Sequence, residues 1–256
     1  MSFLRLARFS YQDQVAYGEI KGEEILELSG ADIANLKPTG KAYKLADVKL
    51  LAPSEPTKVV CLGLNYVNHA EEWNLKMPDE PIIFLKPPSS IIGPGESIIK
   101  PKRTRRMDFE GELGVVIGRR AYKVSREDAK DYILGYTCGN DVSDRHIQKK
   151  DRQWTRAKGF NTFCPLGPWI ETDLDPSNVR LQTLLNDEVK QDTSTSNLAF
   201  KVDFLIEFIS SVMTLEPGDV ILTGTPEGTA PMEPGDKVTV RIEGIGDLTN
   251  NIVAEE

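Results

Sequence analysis

Cysteine and histidine are both scarce in this chain. The three cysteines, Cys61, Cys138 and Cys164, are widely separated, form no CxxC pair and are odd in number. That pattern argues against a disulfide framework and a thiolate zinc site, and it makes a reducing, cytoplasmic setting the expectation. The two histidines, His69 and His146, are too few for the histidine-rich sites that zinc and copper prefer. No apolar run approaches the roughly 20 residues of a membrane helix, and the opening MSFLRLARFSYQDQ has charges scattered through it. Neither a spanning segment nor a targeting leader is expected. Positive charge is short as well. Thirty-one Lys and Arg against 39 Asp and Glu leave a net charge of −8, the wrong sign for nucleic acid or an anionic membrane as the main partner. A small anion bridged by a metal remains compatible. No GxGxxG opens a helix and no Gly-Lys-Ser/Thr closes a glycine-rich loop, so nucleotide cofactors are unsupported.

What the chain does have is enough apolar material for a substantial core: 39% hydrophobic residues over 256 positions, one large domain or one domain with a small appendage. LRLARFSY, VAYGEI and EEILEL alternate with period two between turn formers such as KGEE, which predicts hairpins. A small N-terminal β domain is therefore placed at residues 1–50. LLAPSEPTK, with Pro53 and Pro56 flanking polar residues, marks a boundary before a buried-looking strand at Lys58 to Leu62, and the main domain is placed at residues 57–256. Only two or three segments predict helices. SREDAKDYI carries Ser125 and Asp128 in capping-box positions. VDFLIEFISSVMTL places Val202, Leu205, Ile206, Ile209, Val212 and Met213 at helical spacing, with Pro217 and Gly218 as a stop. PGDVILTGTP and PGDKVTVRIEGIG each launch a strand from a Pro-Gly-Asp turn. Strand and helix do not alternate as a doubly wound sheet requires. The fold class is α+β, mostly β.

The most informative stretch is MDFEGELGVVIG. On a strand, Glu110 and Glu112 share a face about 6 to 7 Å apart, while Phe109, Gly111 and Leu113 point the other way. A Glu-x-Glu pair by itself is ordinarily a solvated strand face. Here it runs into GVVIG, which has no polar alternation and reads as buried on both sides. Two like charges at the mouth of a core repel and are poorly solvated unless a cation compensates them. Oxygen ligands favour Mg2+ or Mn2+, which take a few carboxylates and leave other positions to water and substrate. A third carboxylate is available in Asp141, where the apolar strand Tyr132 to Cys138 ends in Gly-Asn-Asp. The ordinary role of such an aspartate is a turn or a helix cap.

Other candidates flank these three. Lys158, between Ala157 and Gly159-Phe160, has a context that could desolvate its ammonium, although most lysines are simply solvated. His69 has Glu72 three residues on. On a helical turn that carboxylate orients the imidazole and raises its basicity, as a general base needs; a surface His and Glu on a polar helix is the alternative. Thr225 sits in LTGTPEGTAP, a Gly- and Pro-rich loop whose backbone N–H groups are suited to an anion.

Taken together, GLNYVNHAEE, FLKPPSSIIGPGESI, DFEGELGVVIG, GYTCGNDVSDR, RAKGFNTFCPLGP and LTGTPEGT, in that order over about residues 57 to 250, resemble the fumarylacetoacetate hydrolase family. The leading RFSYQDQVAYGEIKGEEILEL is similar to the small N-terminal domain of many bacterial and archaeal members. The resemblance implies a mixed β-sandwich roll for the catalytic domain and assembly as a homodimer. It makes Glu110, Glu112 and Asp141 the ligands of Mg2+ or Mn2+ and Lys158 the cation beside a substrate enolate. Thr225, with Gly224 and Gly228, falls on the substrate carboxylate. His69 and Glu72 fall on the water-activating pair, on a segment that relatives use as a lid, and Arg145 and Gln148 line the pocket. The chain departs from the family in having Asn161 where Asp is frequent, and Ser143-Asp144-Arg145-His146 where SARD is frequent.

The resemblance further implies a 2-oxo acid substrate that chelates the metal through its carboxylate and keto oxygens. Charge developing on that keto oxygen is then stabilised by the cation and Lys158. Hydrolysis of the carbon–carbon bond of an acylpyruvate or fumarylacetoacetate-like substrate uses the His69–Glu72 pair and is the favoured expectation. Isomerisation of a 2-hydroxyhepta-2,4-diene-1,7-dioate, decarboxylation of oxaloacetate or a related acid, and an inactive metal-containing binding protein are the alternatives.

Overall fold

The computed structural model describes residues 4–72 and 74–256; residues 1–3 of the expected N-terminal β domain lie outside them. Strands dominate, with four α-helices among the described residues. A large mixed sheet runs in the order Lys37–Lys44, Glu24–Ser29, Gln14–Lys21, Arg5–Tyr11, Cys164–Glu171, Ile133–Asn140, Gly111–Ile117, Val220–Leu222, Val59–Gly63, Ile82–Lys86. A second sheet runs Glu188–Ser194, Arg180–Leu185, Lys237–Ile242, Gly246–Ala254, Ile98–Lys100. The period-two segments at the N-terminus form a meander that joins the large sheet edge to edge, through Arg5↔Glu171 and Leu6↔Ile170. No described helix is long and apolar enough to cross a membrane.

GELGVVI is buried at every position, because it is paired on both edges and covered on both faces. Leu113, Val115 and Ile117 pack with Leu181, Val240 and Leu248 of the second sheet and with Leu205, Ile206 and Ile209 of a helix. Val116 faces the opposite way, onto Val59, Cys61 and Leu222. Burial on both faces removes any need for polar alternation. The amphipathic segment forms the helix Val202–Val212 as its spacing predicts. SREDAKDYI does not form an α-helix. Ser125 and Asp128 make half of a capping box, with Ser125 Oγ accepting the Asp128 N–H and Asp128 Oδ2 accepting the Ser125 hydroxyl rather than its backbone N–H, yet only a 3₁₀ turn, Ala129–Tyr132, follows. The strand Ile133–Asn140 starts at the next residue, so there is no room for a second helical turn.

Candidate metal centre and active-site cleft

Strand register brings the carboxylates together. Gly111 pairs with Asn140 in the antiparallel ladder, so Glu110 and Asp141 emerge side by side where both strands end. Asp141 N–H donates to the Glu110 carbonyl (2.9 Å). Glu112 lies one pleat further in, on the same face as Glu110. The side-chain oxygens of Glu110, Glu112 and Asp141 lie within 4.8 Å of one another, and all three residues are buried.

Two lysines reach the cluster from other elements. Lys158, the last residue of the short helix Thr155–Lys158, donates to Glu110 Oε2 (2.7 Å) and Asp141 Oδ2 (2.6 Å). Lys86, fully buried at the end of the strand Ile82–Lys86, donates to Asp141 Oδ1 (2.5 Å) and to the Val142 carbonyl (3.2 Å). Arg145 opens the helix Arg145–Asp151 and meets Glu110 Oε1 through Nη1 (2.5 Å) and Asp108 Oδ2 through Nε (2.9 Å). Asp108, also fully buried, holds Arg106 in a two-pronged pair, with Nε and Nη2 each at 2.9 Å.

Glu110 and Glu112 are shifted in opposite directions. Burial pushes Glu110 up, but the charges of Lys158 and Arg145 outweigh it and hold the carboxyl well below its usual range. Glu112 is pushed well above that range by burial, and then by Asp141 and Glu110. One of its oxygens, Oε2, accepts the Gly224 N–H (2.7 Å); the other, Oε1, is buried with no donor among the described residues. An orphaned carboxylate oxygen beside two other carboxylates fits a hard divalent cation, which would complete its coordination and remove the repulsion that raises Glu112. An all-oxygen donor set suits Mg2+ or Mn2+.

Glu110 of this cluster lines a cleft of about 470 Å³, within the range of small-molecule sites. Leu62, Leu75, Phe84 and Trp154 give it apolar surface. Arg106, Arg145, Gln148 and Lys149 add polar and basic groups, and Lys158 and Thr225 also line it. His69, on the short helix Val67–Glu72, faces the same cleft. Its Nδ1 lies 3.2 Å from Glu72 Oε2, and Glu72 Oε1 accepts the Gly228 N–H (3.1 Å). Burial lowers the His69 pKa below the ordinary imidazole value, against the opposing pull of Glu110, which favours the unprotonated ring.

Of the predicted residues, His69, Glu110, Arg145, Gln148, Lys158 and Thr225 line the cleft, Glu112 and Asp141 belong to the carboxylate cluster without lining it, and Glu72, Gly224 and Gly228 are tied in through hydrogen bonds. Gly224 (φ +98°) and Gly228 (φ +91°) have left-handed backbones, and a Cβ at Gly228 would fall 2.2 Å from the Lys190 carbonyl. Their N–H groups serve the protein's own Glu112 and Glu72. Thr225 Oγ donates to the Gly111 carbonyl (3.0 Å) and accepts from Gln191 (2.9 Å). Of the departures from the family pattern, His146 and Asn161 are exposed, whereas Asp144 is buried and caps the helix Arg145–Asp151 by accepting the Ile147 N–H (2.9 Å). Sequence reading passed over Lys86, Asp108 and Arg106. Lys86 lay unassigned inside FLKPPSS. Asp108 and Arg106 continue the period-two series of Glu110 and Glu112 backwards along the chain, a signal that was readable.

A family model described as fumarylacetoacetate (FAA) hydrolase C-terminal matches residues 58–253, and one described as Rv2993c-like, N-terminal, matches residues 4–53. Protein Rv2993c of Mycobacterium tuberculosis is 49% identical, with 98% of both chains covered. Oxaloacetate tautomerase Fahd2a, mitochondrial, of Rattus norvegicus is 40% identical over 91% of this chain and 77% of its own. Among solved structures, 2-hydroxyhepta-2,4-diene-1,7-dioate isomerase from Mycobacterium marinum superposes with a TM-score of 0.92 at 48% identity, covering 98% of this chain and 99% of that one. Maleylpyruvate hydrolase from Sphingobium sp. SYK-6, in complex with manganese (II) ion and pyruvate, superposes with a TM-score of 0.82 at 30% identity over 98% and 100% of the two chains. With the carboxylate cluster, the cleft and the mixed β architecture in place, these matches show that the chain belongs to the fumarylacetoacetate hydrolase family.

Proposed function

We propose that this family member is a divalent-cation enzyme acting on 2-oxo acids through their enolates, and that its reaction is hydrolysis of the carbon–carbon bond in an acylpyruvate-like 3-acyl 2-oxo acid. The observation that carries the reading is His69 at the cleft, its Nδ1 3.2 Å from Glu72, which is itself anchored on Gly228 N–H. Glu110, Glu112 and Asp141 would hold the cation, which when bound supplies Lewis-acid stabilisation of charge on the substrate's keto oxygen. Lys158 adds a positive charge at the same place, because Asp141 and then Glu110 keep its ammonium protonated against the effect of burial. With its Nδ1 proton directed at Glu72, His69 accepts a proton at Nε2 from water attacking the acyl carbonyl. The cleaved bond leaves its electron pair on the pyruvate fragment as the enolate, and the acyl group departs as a carboxylic acid. Apolar surface from Leu62, Leu75, Phe84 and Trp154 gives room for an acyl chain.

A second reading is proton transfer alone, interconverting keto and enol forms or shifting a double bond. The similarity to proteins named isomerase and tautomerase at 48% and 40% identity favours it, and the same dyad can move a proton between carbon and oxygen without water. The test is a panel of acylpyruvates, oxaloacetate and 2-hydroxy-dienedioates with Mg2+ and with Mn2+. Hydrolysis predicts stoichiometric pyruvate and a carboxylic acid carrying oxygen from labelled water. Loss of the enol absorbance with the carbon skeleton intact would overturn hydrolysis in favour of the second reading. A panel left untouched with metal present would overturn both.

A further inference from the structure

Asp141 has a lysine on each of its two oxygens, and the chemistry above uses only one of them. Lys158 donates to Oδ2 (2.6 Å) and lines the cleft. Lys86 donates to Oδ1 (2.5 Å), is fully buried and is not among the lining residues. Its position is set by several contacts. Lys86 pairs with Val59 in the ladder between Val59–Gly63 and Ile82–Lys86, and its ammonium also donates to the Val142 carbonyl (3.2 Å). Pro87, the next residue, packs on Gly159, where a Cβ would fall 3.1 Å from Pro87 Cδ. The strand end that carries Lys86 and the helix end that carries Lys158 are thereby fixed to one another, with Asp141 between the two ammonium groups.

Stability alone does not account for a second buried lysine, because apolar side chains of similar volume often serve a fold as well as a buried ion pair. The charge count does. Glu110, Glu112 and Asp141 bring three negative charges into one buried cluster. A divalent cation together with Lys158 would balance them completely. Arg145 is offset by Asp108, which accepts its Nε (2.9 Å), and Arg106 beyond it is about half exposed and screened by water. Lys86 is therefore the surplus, one positive charge held where water does not weaken its field.

We propose that Lys86 is a positioning residue that acts through Asp141 to leave the loaded cation site with a net positive charge, weakening its hold on the metal and strengthening its hold on a chelating anion. This rests on the divalent-cation reading of the site. An ammonium on a carboxylate draws electron density from it, so Asp141 is a poorer donor and more of the cation's charge is left for the anion. The test uses oxalate, a planar dianion shaped like the enolate of pyruvate, and reads two equilibria by calorimetry: Mn2+ into the protein, then oxalate into the Mn2+-loaded protein. Lys86→Gln and Lys86→Met should both bind Mn2+ more tightly and oxalate more weakly, each by about tenfold to a hundredfold, the scale of changing an outer partner of a ligand. Lys86→Arg keeps the charge and should stay nearer the wild type in both. Opposite signs are what a merely structural role would not produce, since a loosened cluster weakens both affinities together. Both affinities falling in K86Q, neither changing, or neither neutral variant folding would overturn this role of Lys86 and leave the cation reading intact. If Mn2+ fails to bind the wild type, or oxalate fails to bind the loaded wild type, the metal-chelate reading falls and the inference falls with it.

Discussion

Charged pairs occur both in the N-terminal meander and at the carboxylate cluster, and they are built in opposite ways. In the N-terminal meander, Lys21–Glu19 and Lys41–Glu27 span 3.0 and 3.3 Å, with lysine side chains 60% and 67% exposed. At the carboxylate cluster, Lys86 and Lys158 make shorter contacts with Asp141, 2.5 and 2.6 Å, with lysine side chains 3% exposed or less. The difference that matters energetically is solvation: an exposed partner can be replaced by water, whereas a buried carboxylate that loses its cation has nothing to replace it. The cluster is therefore one interdependent unit, and substitutions there should cost far more than the same substitutions in the meander.

The largest effect is expected at Glu112, whose buried Oε1 has no donor among the described residues. Chelating the divalent metal should abolish turnover. Glu112→Gln, which keeps the shape and removes the charge, should weaken Mn2+ affinity by more than about a hundredfold, beyond the usual cost of changing an outer partner of a ligand. Calorimetry measures this directly, and an unchanged affinity would place the metal elsewhere.

Next comes His69. Replacing it with Ala should lower hydrolysis by about two to four orders of magnitude, the scale of a lost general base. Its pH dependence has a definite sign. A base acts when unprotonated, and burial lowers the His69 pKa. The wild-type kcat/KM should therefore be flat at neutral pH and fall only as pH drops through a value below about 6.5, the ordinary imidazole value. In H69A that acid limb should vanish; if it persists at the same pH, another group is the base.

These two residues were legible in the sequence because their signals are local. Glu-x-Glu running into GVVIG, and His and Glu three apart, each report a shared face. The repeated Glu-Pro-Gly-Asp turns were legible for the same reason. In each, the aspartate N–H returns to the glutamate carbonyl at 3.0 Å, with Gly218 and Gly235 in left-handed geometry. Lys86 was not legible, since its partner Asp141 lies 55 residues away and no property of FLKPPSS announces a pairing. Gly224 N–H, reaching Glu112 from 112 residues away, is hidden in the same way. SREDAKDYI shows the converse failure: its local capping signal is present in the structure, but the following strand overrides helix formation.

Lys86 measures the buried side of the comparison. It is fully buried and is not among the residues that line the cleft. Lys86→Met therefore removes a charge with little change in volume. Breaking a buried pair by deleting one partner costs about 3–5 kcal/mol. The metal-free protein should show that loss as a lower denaturant midpoint, with Asp141 Oδ1 left without a cation. A midpoint equal to wild type would mean that Lys158 alone can neutralise Asp141, and the cluster would be less interdependent than its geometry implies.

The smallest effect belongs to the meander, and it is what gives the comparison its control. Lys41→Ala removes the cation from Glu27, whose carboxylate still accepts the Tyr43 hydroxyl at 2.7 Å. That hydroxyl, more than Lys41, holds the Glu27 pKa below its usual value, and water replaces the ammonium at little cost. The loss should stay under about 1 kcal/mol, the range for exposed pairs, and should shrink further as salt screens the remaining attraction. Measured by the same denaturation as K86M, a K41A loss of equal size would show that burial is not what separates the two regions. The strand pairing at Leu26↔Ala42 and Glu24↔Lys44 would then depend on its surface charges rather than on the packing of Ile25 against Phe9 and Tyr43 beneath it.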